Sequence, residues 1–152
     1  MLYPAFGDVV ATLESMPGGW TRSVNGGHVL IALDGTKYHC SKEIRCRDCS
    51  TRQRSKGEIE YFHAILRASP VAPGHDKIIP LEPEFIAPQD GAEKQDCENA
   101  AAKRWLAARG KQCARLNPIY LGDELFSRQP LCEAVTAAGG ISSSSASRPR
   151  IP

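Results

Sequence analysis

Val29-Leu30-Ile31-Ala32-Leu33 is an unbroken apolar run that leads from His28 into Asp34, and Pro118-Ile119-Tyr120-Leu121 repeats the arrangement, passing through Gly122 to Asp123. Short continuous runs of this kind suit strands buried on both faces of a sheet. Each is expected to close on its aspartate and open a loop. A helix between two such strands is the usual crossover of a parallel pair. Parallel neighbours lie about 4.8 Å apart. Two carboxylates at matching depth on such neighbours can share one divalent cation, and Mg²⁺ is commonly held by one or two carboxylates plus substrate phosphate oxygens.

The segments around the two runs complete an α/β pattern. Phe6, Val9, Val10, Leu13 and Met16 follow the period of one helix face, and Pro17-Gly18-Gly19 stops that helix. Residues 1–27 thus form a helical lead-in. Cys40 to Gly57 is polar and charged, and reads as an excursion from the sheet. Ile59, Tyr61 and His63 then alternate with Glu60 and Phe62 in a strand continuing through Ile65 and Leu66. Pro73-Gly74 turns the chain, with Lys77 to Leu81 as the hairpin partner. Pro80 and Pro83 cannot donate to a ladder, so that partner is expected to be short or at an edge. Asp90-Gly91-Ala92-Glu93 has capping-box spacing ahead of a helix lined by Cys97, Ala101, Trp105 and Ala108 and ended by Gly110. Ser127 is placed to cap a closing helix that runs through Ala138, with Gly139-Gly140 after it. From Ile141 to Pro152 serine and proline dominate without apolar period, which predicts a disordered tail. Residues 28–140 are the expected folded domain.

Nineteen basic against 17 acidic residues leave a net charge of +2, and 41% of the 152 residues are hydrophobic. That balance fits one folded domain of ordinary size. No apolar run approaches the ~20 residues of a spanning helix. Asp8 and Glu14 in the first twenty residues, with no basic n-region, argue against a signal peptide. Six cysteines without an export signal point to reduced thiols in a cytoplasm.

Several segments together resemble bacterial insertion-sequence transposases of the DDE type, whose catalytic domain is ribonuclease-H-like. They are Ala32-Leu33-Asp34-Gly35-Thr36, Val71-Ala72-Pro73-Gly74-His75, Pro83-Glu84-Phe85-Ile86, Gln89-Asp90-Gly91, Glu93-Lys94-Gln95-Asp96-Cys97-Glu98 and Tyr120-Leu121-Gly122-Asp123-Glu124-Leu125-Phe126. The resemblance runs over residues 2–140. It implies a mixed sheet with flanking helices, incomplete at both ends, in a bacterial cytoplasm. In that family the first acid lies on the first strand and the second at the end of the fourth. Asp34 and Asp123 match them, and Mg²⁺ or Mn²⁺ would serve metal-dependent cleavage and strand transfer on DNA, with a homodimer among the assemblies implied. The family's third acid, a downstream Glu in a Tyr/Arg/Glu/Lys signature, has no counterpart here. The 152 residues alone are therefore expected to be inactive, since losing a positioned acid worth ~4 kcal/mol is about a thousandfold in rate. Supercoiled DNA incubated with Mg²⁺ or Mn²⁺ should remain un-nicked, and nicking that vanishes in Asp34→Ala would contradict this.

Cys40, Cys46 and Cys49 form C-x5-C-x2-C, with His39 adjacent and His63 on the following strand. Thiolate and imidazole suit tetrahedral Zn²⁺. Lys42, Arg45, Arg47, Arg52, Arg54 and Lys56 surround these cysteines against Glu43 and Asp48. Such a cluster neutralises phosphates along a duplex. The same residues support a second reading, a small zinc-binding nucleic-acid module in which the aspartates are structural.

Overall fold

A computed structural model describes residues 7–15, 27–55, 57–72, 78–88, 94–123 and 129–144. It is a mixed α/β structure in which helices flank a six-stranded sheet. Helix α1 spans Gly7–Ser15, followed by strands β1 Val29–Ser41, β2 Ser50–Gln53, β3 Ile59–Val71 and β4 Glu84–Ile86. Helix α2 covers Lys94–Cys113 and passes through a 3-10 turn at Ala114–Leu116 into β5 Pro118–Gly122. Helix α3 Gln129–Ala137 and strand β6 Ile141–Ser144 complete the described residues. The strand order is β2-β3-β1-β5-β6, with β4 on the side of β3. β1 is antiparallel to β3 and parallel to β5, and β5 is parallel to β6.

The two faces of the sheet differ. Val29, Ile31 and Leu33 of β1, Ala64, Leu66 and Ala68 of β3 and Tyr120 of β5 are buried in one cluster with helical residues. Those are Val10 and Leu13 of α1, Ala101, Trp105 and Leu106 of α2 and Leu131 and Val135 of α3. The alternate residues Leu30, Ala32, Ile65, Ile119 and Leu121 are only half-buried. The helices thus cover one face, which carries the core, and the second stays partly open.

Several expectations are corrected by long-range pairing. β1 does not close at Asp34 but runs on to Ser41, because β3 is equally long and pairs with it as far as Ser41↔Tyr61. The polar stretch after Cys40 contains β2, which pairs with Ser50↔Phe62 through Gln53↔Ile59. Backbone pairing places no demand on side-chain polarity at a sheet edge. The partner of β3 on its other side is β4, three residues later than the expected segment, and Lys77 and the preceding turn lie outside the described residues. Residues 78–83 form no strand, since Pro80 and Pro83 lack donors; Leu81 makes one backbone bond to Ala68 at 2.9 Å.

Gly110 does not end its helix, which continues to Cys113. The stop is Asn117, whose left-handed φ of 49° caps the 3-10 turn. Gly110 is buried against α3, where a Cβ would come within 2.5 Å of Ala138 Cβ. Its role is close helix packing. The Gly110→Val variant is expected to cost about 2–3 kcal/mol through overpacking, read as a lower denaturant midpoint at unchanged slope. The buried stripe of α2 is Ala101, Ala102, Trp105, Leu106 and Cys113, while Ala108 is exposed. The side chain of Cys97, the expected cap at Asp90 to Glu93 and Ser127 lie outside the described residues.

The tail is corrected in part. Ile141–Ser144 is β6, in parallel register with β5 from Ile119↔Ile141 to Gly122↔Ser144. Serine adds little burial, yet an open β5 edge offers a ladder of backbone groups that any sequence but proline can fill. Residues 145–152 lie outside the described residues.

Candidate functional site

Two arrangements of chemistry-bearing residues lie on the half-open face of the sheet. The first is the acid pair. β1 and β5 pair Val29↔Pro118, Leu30↔Ile119, Ile31↔Tyr120 and Ala32↔Leu121. The ladder pairing ends at Ala32↔Leu121; continued two residues further, the same register would bring Asp34 level with Asp123, the residue that follows β5. Residues in register on parallel strands project to the same face, and both aspartates are exposed. Asp34 alternates with Leu33, so its carboxylate stands on the face away from the helices. Its partner on the other side is Arg67 of β3, half-buried. Arg67 is thus the residue across the ladder from the first acid. Arg67 was missed at the sequence level, though it continues the alternation of Ile59, Tyr61 and His63. Behind Asp34, Gly35 lets the buried Glu98 of α2 press against the strand, since any Cβ there would meet the Glu98 side chain.

The second arrangement is a sulfur–imidazole cluster at the far end of the β1–β3 ribbon. Cys46 Sγ and Cys49 Sγ are 3.5 Å apart, and His63 Nε2 lies 3.3 Å from the first and 3.4 Å from the second. The loop is folded to make this possible: the Cys49 amide donates to the Cys46 carbonyl at 3.3 Å, and the Cys46 amide donates to Cys49 Sγ at 3.2 Å. Cys46 is exposed, whereas Cys49 and His63 are half-buried. Tyr38 stacks on the His63 ring with centroids 5.8 Å apart. Four residues along β3 separate His63 from Arg67, so the two arrangements lie about 13 Å apart on one face.

Cys40 and His39 do not join this cluster as ligands. A register shift between Lys37 and His39 inserts one extra residue into β1, so that His39 pairs with His63 and Cys40 with Phe62. The bulge turns Cys40 to the opposite face, where its thiol bonds the Glu60 carboxylate. The same shift brings His39 to the face of His63, with the two ring centroids 6.0 Å apart. Cys113 is a core residue, and burial pushes its thiol up to about 11.

The basic residues divide by face and partner. Arg54 reaches Glu60 through Nε at 3.1 Å and a second nitrogen at 2.5 Å, and this guanidinium, with the Cys40 thiol, holds the Glu60 carboxyl below the usual range. Arg54 is therefore a structural partner of a buried acid. Lys42 pairs with Glu58 at 2.6 Å and Arg47 with Asp48 at 3.5 Å, both exposed pairs that rearrange at little cost. Arg45 donates to the Tyr61 hydroxyl at 3.2 Å, and Arg52 is exposed on β2. Lys56 lies outside the described residues. Among the described residues no helix is long and apolar enough to cross a membrane.

Comparisons with protein-family models, with curated proteins and with solved structures find no match.

Proposed function

We propose that this chain contains a ribonuclease-H-like core of the DDE transposase type, in which Asp34 and Asp123 hold a divalent cation, Mg²⁺ or Mn²⁺, against a DNA phosphate. The observation that supports the reading is the parallel β1–β5 register from Val29↔Pro118 to Ala32↔Leu121, which, continued two residues, would bring Asp34 level with Asp123 just after β5. The strand sequence supports it as well. With β2 counted as an insertion in the ribbon, Asp34 lies on the first strand, Asp123 follows the fourth, and β6 supplies the fifth strand that the family expects after the intervening helix. Among the described residues the helices pack on the other face of the sheet from Asp34, which would suit a substrate as wide as a duplex.

In this reading Asp34 and Asp123 accept the ion, which when bound stabilises charge on phosphate oxygens and activates a water or a 3′ hydroxyl. Arg67, across the ladder from Asp34, would meet a neighbouring phosphate. Arg45, Arg47 and Lys42 at the ribbon tip lie on exposed surface from which to contact the flanking backbone. A zinc-binding nucleic-acid module built on the ribbon tip is a second reading, supported by the sulfur–imidazole cluster.

Mn²⁺ separates the two. On the full chain, Mn²⁺ should broaden amide resonances around residues 33–35 and 122–123 at substoichiometric metal, before those around 46–63. Broadening confined to the ribbon tip, with none near Asp34 at millimolar Mn²⁺, would sink the acid-pair reading.

A further inference from the structure

We infer that Cys46, Cys49 and His63 form a structural Zn²⁺ site that clasps the β1–β2 loop onto β3. This inference is independent of the acid pair and stands whether or not Asp34 and Asp123 bind a cation. The three ligand atoms make a triangle with sides of 3.5, 3.3 and 3.4 Å. A tetrahedral ion with Zn–S near 2.3 Å and Zn–N near 2.0 Å requires edges of about 3.8 Å between sulfurs and about 3.5 Å from sulfur to nitrogen. The triangle needs to open by only about 0.1–0.3 Å to admit the ion. Two sulfurs and an imidazole form a soft donor set that selects zinc over Mg²⁺ or Ca²⁺. The three side chains would leave the fourth corner of the tetrahedron to a water.

The loop, otherwise joined to its neighbours by the exposed Lys42–Glu58 pair and the Arg45–Tyr61 hydrogen bond, would gain a further tie from this site. Between Ser41 and Ser50 it contributes no side chain to the hydrophobic core, and Ile44 is 68% exposed. Its internal ties are the Ser41 hydroxyl accepting from the Glu43 and Ile44 amides and the bonds of the Cys46–Cys49 turn. Binding converts two thiols to thiolates, releasing their protons to solvent as two Zn–S bonds form. The same loop presents Lys42, Arg45 and Arg47, so the ion orders a basic surface.

Elemental analysis of the full chain purified without chelators should find one zinc per chain. Replacement by Co²⁺ should produce thiolate-to-cobalt charge-transfer bands and the intense visible bands of tetrahedral cobalt. Cys46→Ser, Cys49→Ser and His63→Ala should each weaken zinc binding at least tenfold, with Cys40→Ser and Cys132→Ser unchanged. Removing the metal should speed tryptic cleavage at Arg45, Arg47 and Arg52 at least tenfold, and added Zn²⁺ should restore protection. Should a variant fail to fold, the cobalt spectrum and the protease protection of the unaltered chain decide the matter. Absence of charge-transfer bands, or zinc retained by the Cys46→Ser/Cys49→Ser double variant, would overturn the assignment.

Discussion

Asp34→Asn is expected to weaken Mn²⁺ binding at least tenfold and, at one hundred times the unaltered chain's Kd, to remove about half or more of the protection that Mn²⁺ gives against unfolding. A neutral amide keeps the shape of the side chain but removes one of two charges facing the ion, and tenfold in affinity is only 1.4 kcal/mol. Asp123→Asn should do the same from the neighbouring strand. The double variant should be little worse than either single one, because one remaining carboxylate no longer makes a site. In the absence of metal, Asp34→Asn should alter stability by no more than about 0.5 kcal/mol, as expected for an exposed residue that contributes nothing to the core. At a metal concentration one hundred times its Kd, the unaltered chain should gain about 2.7 kcal/mol, or roughly 5–10 °C in Tm for a chain of this size. Thermal scans with and without Mn²⁺ measure both quantities. An equal metal-dependent shift in Asp34→Asn would show that the ion binds elsewhere, and Asp48→Asn serves as the control for a surface carboxylate.

The largest effect on stability is expected from Trp105→Ala, at about 3–5 kcal/mol. Trp105 is 2% exposed and lies where α1, α2 and the sheet meet. Its ring meets Tyr120 of β5 edge-on with centroids 6.3 Å apart, and its Nε1 donates to the Glu82 carbonyl at 2.7 Å. The first contact fastens α2 to β5, and the second fastens it to the segment before β4. Truncation leaves a cavity bounded by residues from several elements, which cannot all collapse together. Trp105→Phe keeps most of the ring and loses the hydrogen bond, so it should cost about 1–2 kcal/mol. Urea unfolding followed by circular dichroism measures the pair. Equal costs for the two variants would mean that the Glu82 bond dominates over packing.

Much of this architecture was legible in residue order. The apolar runs at Val29–Leu33 and Pro118–Leu121 are strands of one sheet because their residues can be buried only there, and parallel pairing follows from the helix between them. The C-x2-C spacing and the alternation that sets His63 on the face away from the helices marked the residues that meet at the ribbon tip. The helix around Trp105 was readable from its apolar spacing, but its end was not. Gly110 has the conformational freedom of a stop signal, and only the approach of Ala138 reveals that its missing Cβ is used for packing. Cys40 was grouped with the other two cysteines because proximity in sequence carries no information about face.

The amino-acid sequence by itself determined which segments become strands and helices near the acids, that two aspartates follow two buried runs, and that thiols and basic residues share one loop. Burial and hydrogen-bonding chemistry are local enough to be read from composition and period. Tertiary structure alone decided that Asp34 lies within a long strand rather than at its end, that β6 adds to the edge of β5, and that His63 completes the cysteine pair in place of Cys40. Each of these depends on interstrand register. One extra residue in β1 between Lys37 and His39 exchanges the faces of everything beyond it, and that shift arises from pairing with β3, more than twenty residues further along the chain.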